Sequence, residues 1–186
     1  MATRMRPSAS RVARFSGVMD TVRSVGRQQA LIQFNLANYQ DRPILDVLSA
    51  LCDVIFEDTG RAYEDTQDDN ISKHAYANTV VRICEIDGID LDHLTNDQVE
   101  VMIAIFIEET IAQRVINDVG NKLTEKNTDI DALVDIENSI YQIVNGLVRN
   151  QIMPEIMATD RGDRQNLEAR IENIYRIAFD AMSTQN

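Results

Sequence analysis

Few of the residues that interrupt helices occur in this chain. Its 186 residues include seven glycines, three prolines and no tryptophan. A chain of this length built from many short strands needs more turn-forming residues, so the shortage favours long helices. No alternation of apolar and polar residues predicts a strand anywhere in the sequence. We therefore predict an all-α protein.

Cysteines and long apolar runs are also scarce. Cys52 and Cys84 lie at helical core positions without a C-x-x-C motif, and we expect both to be buried free thiols in a reducing compartment. No stretch approaches the roughly 18 uncharged apolar residues of a membrane span, so we expect no span. The N-terminus lacks the apolar core of a secretory signal. These features predict a cytoplasmic protein.

Charge is unevenly distributed along the chain, whose formal net charge is −12. Residues 1–27 hold six arginines and one aspartate, a balance of +5, whereas the other 159 residues hold 12 basic and 29 acidic side chains, a balance of −17. We predict a basic amphipathic N-terminal arm, residues 1–36, on an acidic helical-bundle domain, residues 37–186. Because an acidic body repels nucleic acid, only the arm is expected to bind it.

The stretch from Thr95 to Gly120 predicts the helix around which the others pack. It contains a nearly unbroken apolar run from Val99 to Ile107. Thr95 and Gln98 have the spacing of a capping box, and Gly120 marks the expected C-terminal end of the helix. A helix that is apolar on most sides belongs in the middle of a bundle. We predict a bundle of about six helices around a central buried helix, residues 95–120.

Three residues mark the expected boundaries of neighbouring helices. Pro43 suits the first turn of an amphipathic helix that continues to Phe56. Gly88 is expected to stop the helix before the central one, and Pro154 to end or kink the helix that follows it.

The motifs that mark common enzymes are missing. Neither His74 nor His93 accompanies a nucleophile motif, and there is no glycine-rich phosphate loop and no H-E-x-x-H pair. Asp87 and its acidic neighbours surround Gly88, but the glycine follows the first aspartate, an order that a calcium loop does not have. We interpret this segment as a solvated acidic turn, and we expect no catalytic residue, no metal site and no cofactor.

One enzymatic alternative rests on paired carboxylates near helix ends. Mg²⁺ prefers oxygen ligands and bridges to phosphates, so acidic pairs on helices suit an all-α nucleotide hydrolase that depends on Mg²⁺. The pairs in question are Asp65 with Asp68 or Asp69, and Asp87 with Asp90, with Arg61, Lys73 and Arg82 as the nearby phosphate-binding candidates.

The basic arm has three possible partners: the phosphates of a nucleic acid, an anionic membrane, or an acidic protein surface. Phe15 is the sole aromatic residue among residues 1–27, which gives little support to base stacking. The acidic body complements the arm, either within one chain or between neighbouring subunits. The residues predicted to bind partners lie on the arm and on the acidic turn: Arg4, Arg6, Arg11, Arg14, Phe15, Arg23, Arg27, Glu85, Asp87, Asp90 and Asp92.

These patterns favour a non-enzymatic structural protein. We predict a subunit of a larger assembly, either a homo-oligomer or a multi-subunit complex, held together by protein–protein contacts. A phage or viral particle is one source of such a subunit, and its location would then be the virion. Two alternatives stay open: an acidic adaptor that imitates nucleic acid to block a partner protein, and the Mg²⁺-dependent hydrolase.

Overall fold

The structure is a computed structural model, and it describes residues 5–57, 67–123, 130–154 and 164–183. These residues form seven α-helices and no strand, which confirms the all-α prediction. The helices are α1 (Arg6–Val25), α2 (Arg27–Gln33), α3 (Ile44–Phe56), α4 (Gln67–Cys84), α5 (Asn96–Leu123), α6 (Ile130–Leu147) and α7 (Arg164–Ser183). A short 3₁₀ helix, Ala37–Tyr39, precedes α3, and a π-helical turn, Val148–Ile152, continues α6. None of the described helices is both long and apolar enough to cross a membrane.

Helix α5 begins at the predicted capping box. The backbone N–H of Thr95 donates to Gln98 Oε1 at 2.9 Å, and the N–H of Gln98 donates to Thr95 Oγ1 at 3.2 Å. The expected end at Gly120 is wrong, since α5 continues to Leu123. Glycine inside a helix costs only about 1 kcal/mol relative to alanine, which the contacts of a long helix can offset. Helix α5 packs against α1, α4, α6 and α7.

Helix α1 lies in the core of its own chain. It packs against α3, α4, α5 and α7, and Val12, Phe15 and Met19 are fully buried. The ring of Phe15 meets Phe106 of α5 edge to face, with 5.0 Å between the ring centroids. The sequence left open whether this stripe docks on its own body or on a neighbour. In the structure it docks on its own body, so the apolar stripe of α1 is already covered.

The two cysteines are less buried than predicted. Cys52 is half-buried, and Cys84 is exposed, so the expectation of two buried thiols is wrong for Cys84. Ile83 takes the core position at the end of α4, and successive helical side chains point in directions about 100° apart. Partial burial raises the pKa of both thiols.

The end of α6 is shaped by Pro154. A proline lacks an N–H donor, and its ring clashes with the carbonyl four residues earlier. The backbone before Pro154 widens into the π-helical turn, a form that accommodates such a disturbance inside a helix. Val148 and Ile152 stay buried through this turn, while Arg149 is exposed.

Candidate functional site

Helices α4 and α6 lie on either side of α5, and each packs against it. In the part of the chain that the structure describes, the backbones of α4 and α6 do not come close to each other. The surface of α5 between them is therefore the floor of an open groove, which we call the α4–α6 groove. It has an apolar part and a polar part, and the side chains of Arg82 and Glu108 line both.

The apolar part of the α4–α6 groove is a cavity of about 530 Å³. Glu85 lies at its α4 edge, and Arg149 lies at the opposite edge, in the turn that follows α6. Its apolar lining consists of Ile86, Val101, Ala104, Ile105 and Met153. The polar part, about 460 Å³, is formed by side chains of α4, α5 and α6.

Two consecutive glutamates of α5 form the centre of the polar part. Glu108 and Glu109 are only 4% and 2% exposed. Removing a carboxylate from water costs several kcal/mol unless it is paired and hydrogen-bonded. The structure must therefore provide both carboxylates with partners.

Arg82 of α4 binds both carboxylates. Its Nη1 donates to Glu109 Oε1 and its Nη2 donates to Glu108 Oε2, each at 2.8 Å. Partial burial works against the charge of Arg82, but the hydrogen bonds to the two glutamates outweigh it and raise the pKa of the guanidinium. One arginine facing two glutamates leaves these three groups with a formal charge of −1.

Asparagine and tyrosine side chains bind the remaining carboxylate oxygens. Tyr141 Oη and Asn78 Nδ2 donate to Glu109 Oε2 at 2.8 and 3.2 Å. Asn145 Nδ2 donates to Glu108 Oε1 at 2.8 Å. Every oxygen of the two carboxylates accepts at least one hydrogen bond, and the donors come from α4 on one side and α6 on the other. We call this set, Asn78, Arg82, Glu108, Glu109, Tyr141 and Asn145, the carboxylate bridge.

The hydrogen-bonded layer extends beyond the carboxylate bridge along the same helices. Gln113 Nε2 donates to Tyr141 Oη at 3.0 Å, and Gln113 Oε1 lies 3.0 Å from His74 Nδ1. Burial, the charge of Glu109 and the hydrogen bond to it together raise the pKa of Tyr141 to about 12. The layer ties three helices together along their length.

Two of the basic residues predicted to bind partners, Arg11 and Arg14, contact their own chain. Arg11 forms an ion pair with Asp69 at 3.1 Å, and its guanidinium carbon lies 5.4 Å from the ring centroid of Phe56. Arg14 donates to the carbonyl of Glu57, the residue that follows α3. Both arginines fasten α1 to neighbouring elements.

The acidic turn makes similar contacts within the chain. Asp92 lies 3.8 Å from Arg27, so the basic segment and the acidic turn meet in one molecule. Asp90 Oδ2 lies 2.9 Å from His93 Nδ1. This hydrogen bond lowers the pKa of Asp90 and raises that of His93.

The remaining predicted partner residues lie on α1 and in the turn after α4. Arg23 is exposed and lies 3.8 Å from Asp20. Asp87 is exposed in the turn after α4, while Glu85 is exposed and lines the α4–α6 groove. Arg4 and the side chain of Arg6 lie outside the part of the chain that the structure describes. The role of these residues in binding a partner stays a prediction.

The family to which this chain belongs is known from a match to a family model. Residues 1–182 match the model of a family described as Qat anti-phage system associated protein QatB. The chain belongs to the QatB family. No curated protein and no solved structure matches it. The QatB description associates the chain with a system that acts against phage, whereas the predicted source was a phage or viral particle, so the match supports only the coarser connection with phage.

The structure describes only some of the acidic residues suggested for Mg²⁺ in this QatB chain. Asp69 is paired with Arg11, and Asp87 and Asp90 lie in the exposed turn. Asp65, Arg61 and the side chain of Asp68 lie outside the described residues. Among residues 5–57, 67–123, 130–154 and 164–183, no three acidic, histidine or cysteine side chains form a group suited to a metal. The Mg²⁺-dependent hydrolase stays a prediction.

The carboxylate bridge of this QatB chain was not predicted, although the sequence contains two signals of it. Glu108 and Glu109 interrupt an apolar run, IAIFIEETIA, on a helix expected to be buried on most sides. Charged residues in such a position are almost never buried without partners. On α4, residues His74, Asn78 and Arg82 recur every four positions, which places three polar side chains on one helical face.

Proposed function

We propose that this QatB-family chain is a non-enzymatic assembly subunit of the Qat anti-phage system and that it works through contacts with other proteins. The observation that carries this proposal is the family match over residues 1–182, whose description associates the family with a system. The other proteins of such a system are the natural binding partners of this chain.

The carboxylate bridge supports a scaffolding role. Its two buried carboxylates accept hydrogen bonds from their own chain, and these bonds fix α4 and α6 relative to α5. A fully hydrogen-bonded polar network of this kind makes a core rigid and specifies one arrangement of the helices. A rigid arrangement of three helices suits a surface that other proteins bind.

Two features favour a different protein as the partner over further copies of this chain. Arg11, Arg14 and Arg27 of the basic segment already contact their own chain. The formal net charge of −12 makes copies of the chain repel one another. We therefore favour a complex of unlike subunits over the predicted homo-oligomer.

Affinity purification tests the proposal. The full chain carries a C-terminal tag and is expressed with the other proteins of the same Qat system, and the tagged chain expressed alone is the control. We expect at least one other Qat protein to co-purify in a fixed ratio. If every other Qat protein stays unbound, the assembly role is wrong.

The same preparation tests the two alternatives. Release of product from nucleoside triphosphates that requires Mg²⁺ and disappears in Asp87→Asn would favour the hydrolase. Capture of a nucleic-acid-binding protein that duplex DNA displaces would favour the acidic adaptor. The assembly subunit is expected to show neither.

A further inference from the structure

We propose that the apolar part of the α4–α6 groove receives an amphipathic helix from another protein of the defence system. This inference rests on the proposed assembly function and names the surface through which assembly occurs. The occupant is a helix with an apolar stripe that has a basic residue on one side and an acidic residue on the other.

Val101 is the exposed apolar side chain of the groove floor. It is 43% exposed, while its neighbours Met102 and Ile103 are 0% and 2% exposed. Val101, Ala104 and Ile105 follow the i, i+3, i+4 spacing and therefore lie on one face of α5, with Ala104 and Ile105 buried at 8% and 7% exposed. Ile86 and Met153, which also line the apolar part, are half-buried. No described helix covers Val101, because α4 and α6 stand apart on either side of α5.

The groove has the construction of known helix-binding surfaces. Two helices form its sides and a third forms its floor, and amphipathic helices bind in apolar grooves. Helices that bind in such grooves insert apolar residues spaced i, i+3, i+4 and i+7. The described residues offer no strand edge onto which an extended peptide could add.

The charges at the two edges define the partner further. Glu85, which follows α4, and Arg149, in the turn that follows α6, are exposed and line the apolar part. Arg82 and Glu108 line it as well, but they are already paired with each other. Because Glu85 and Arg149 differ in sign, a partner helix binds with its basic residue towards Glu85 and its acidic residue towards Arg149. Charges of opposite sign on the two edges thus select one orientation of the incoming helix.

A second copy of this chain does not fit the description. The described helices of a copy bury their apolar stripes in their own core. Their exposed large apolar residues are isolated along each helix, apart from Ile130 and Val134 on α6, which make one pair and not a stripe. The net charge of −12 also opposes the approach of two copies. The occupant is therefore a different protein.

Matched valine variants test this assignment. Val101 in the groove is 43% exposed, and Val25 at the end of α1, outside the groove, is 44% exposed. Each is changed to glutamate in the full tagged chain, expressed with the other Qat proteins. We expect V101E to bind the partner about tenfold or more weakly, since a charge is placed in an apolar contact, and V25E to bind like the unchanged chain. Arg149→Glu should also weaken binding.

The outcomes separate the two proposals. Circular dichroism first shows that both valine variants keep the helical content of the parent chain. If the parent chain binds a Qat protein and V101E binds it as well as V25E does, the groove assignment is wrong and the assembly function stands. If the parent chain binds no Qat protein, both proposals fail. If V101E instead dissolves an oligomer made of this chain alone, the occupant is a second copy and the assignment to a different protein is wrong.

Discussion

Arg82 and Tyr141 bind opposite oxygens of the Glu109 carboxylate, each across 2.8 Å. Arg82 belongs to α4 and Tyr141 to α6, two helices whose backbones do not come close to each other within the described residues. The carboxylate of Glu109 therefore links α4 to α6. The polar contacts across the α4–α6 groove thus depend on a buried charge that a single substitution can disturb.

Arg82→Met removes the cation from the carboxylate bridge. Two adjacent buried carboxylates then lose their counter-charge, and breaking a buried pair in this way costs about 3–5 kcal/mol. The side chain of Arg82 is 35% exposed, so water reduces the penalty, and we expect a loss of about 2–4 kcal/mol in the free energy of unfolding. Urea denaturation measures it. Arg176→Met, an exposed position on α7, is the control, and equal losses in both variants would contradict the role of the bridge.

The hydroxyl of Tyr141 is expected to ionise at a higher pH than that of an ordinary tyrosine. Burial and the nearby charge of Glu109 raise its pKa to about 12 from the ordinary value of 10.0. A raised pKa in the folded state means that this contribution to stability is complete below pH 10 and is lost as the pH rises towards 12. Tyrosinate absorbs in the ultraviolet. The difference in this absorbance between the parent chain and Tyr141→Phe, measured against pH, gives the ionisation of Tyr141 alone. Ionisation of this group near pH 10, with the helical circular dichroism intact, would disprove the contact.

Phe15 tests whether α1 belongs to the core. It is fully buried and packs against Phe106, so Phe15→Ala is expected to cost about 3–5 kcal/mol. Thermal melting measures the loss for Phe15→Ala. Arg23→Ala, on the exposed side of α1, is the control and should change stability by less than about 1 kcal/mol.

Deletion of residues 1–27 tests the same point more severely. It should unfold the chain instead of releasing a folded monomer. A folded, unchanged truncated chain would show that α1 is a detachable arm.

Thr95 tests the start of α5. Its hydroxyl accepts the N–H of Gln98, and loss of such a cap costs about 1 kcal/mol. We expect Thr95→Ala to lower the melting temperature by several degrees, whereas Thr21→Ala, inside α1, should have little effect. Similar melting temperatures for Thr95→Ala and the parent chain would show that the capping box adds nothing.

The helices could be predicted because their signals are local. The capping box of Thr95 and Gln98 spans a single turn, and apolar spacing within each segment is enough to indicate an amphipathic helix. The predicted end at Gly120 was wrong because the tendency of glycine to end a helix was outweighed by the packing of a long helix.

The candidate site could not be predicted in the same way. Glu108 meets Arg82 from 26 residues earlier, and Glu109 meets Tyr141 from 32 residues later. Apolar spacing shows which face of a helix is buried, but it does not show which helices are neighbours. For the same reason, charge complementarity could not show that Arg27 contacts Asp92 of its own chain.

The mass of the complex in solution tests the assembly role most directly. The full chain, of 21.1 kDa, is purified after expression with the other proteins of its Qat system and is examined by native mass spectrometry. We predict a species that contains this chain and at least one different Qat protein. A spectrum that shows this chain only by itself, at 21.1 kDa or at multiples of it, would contradict the account.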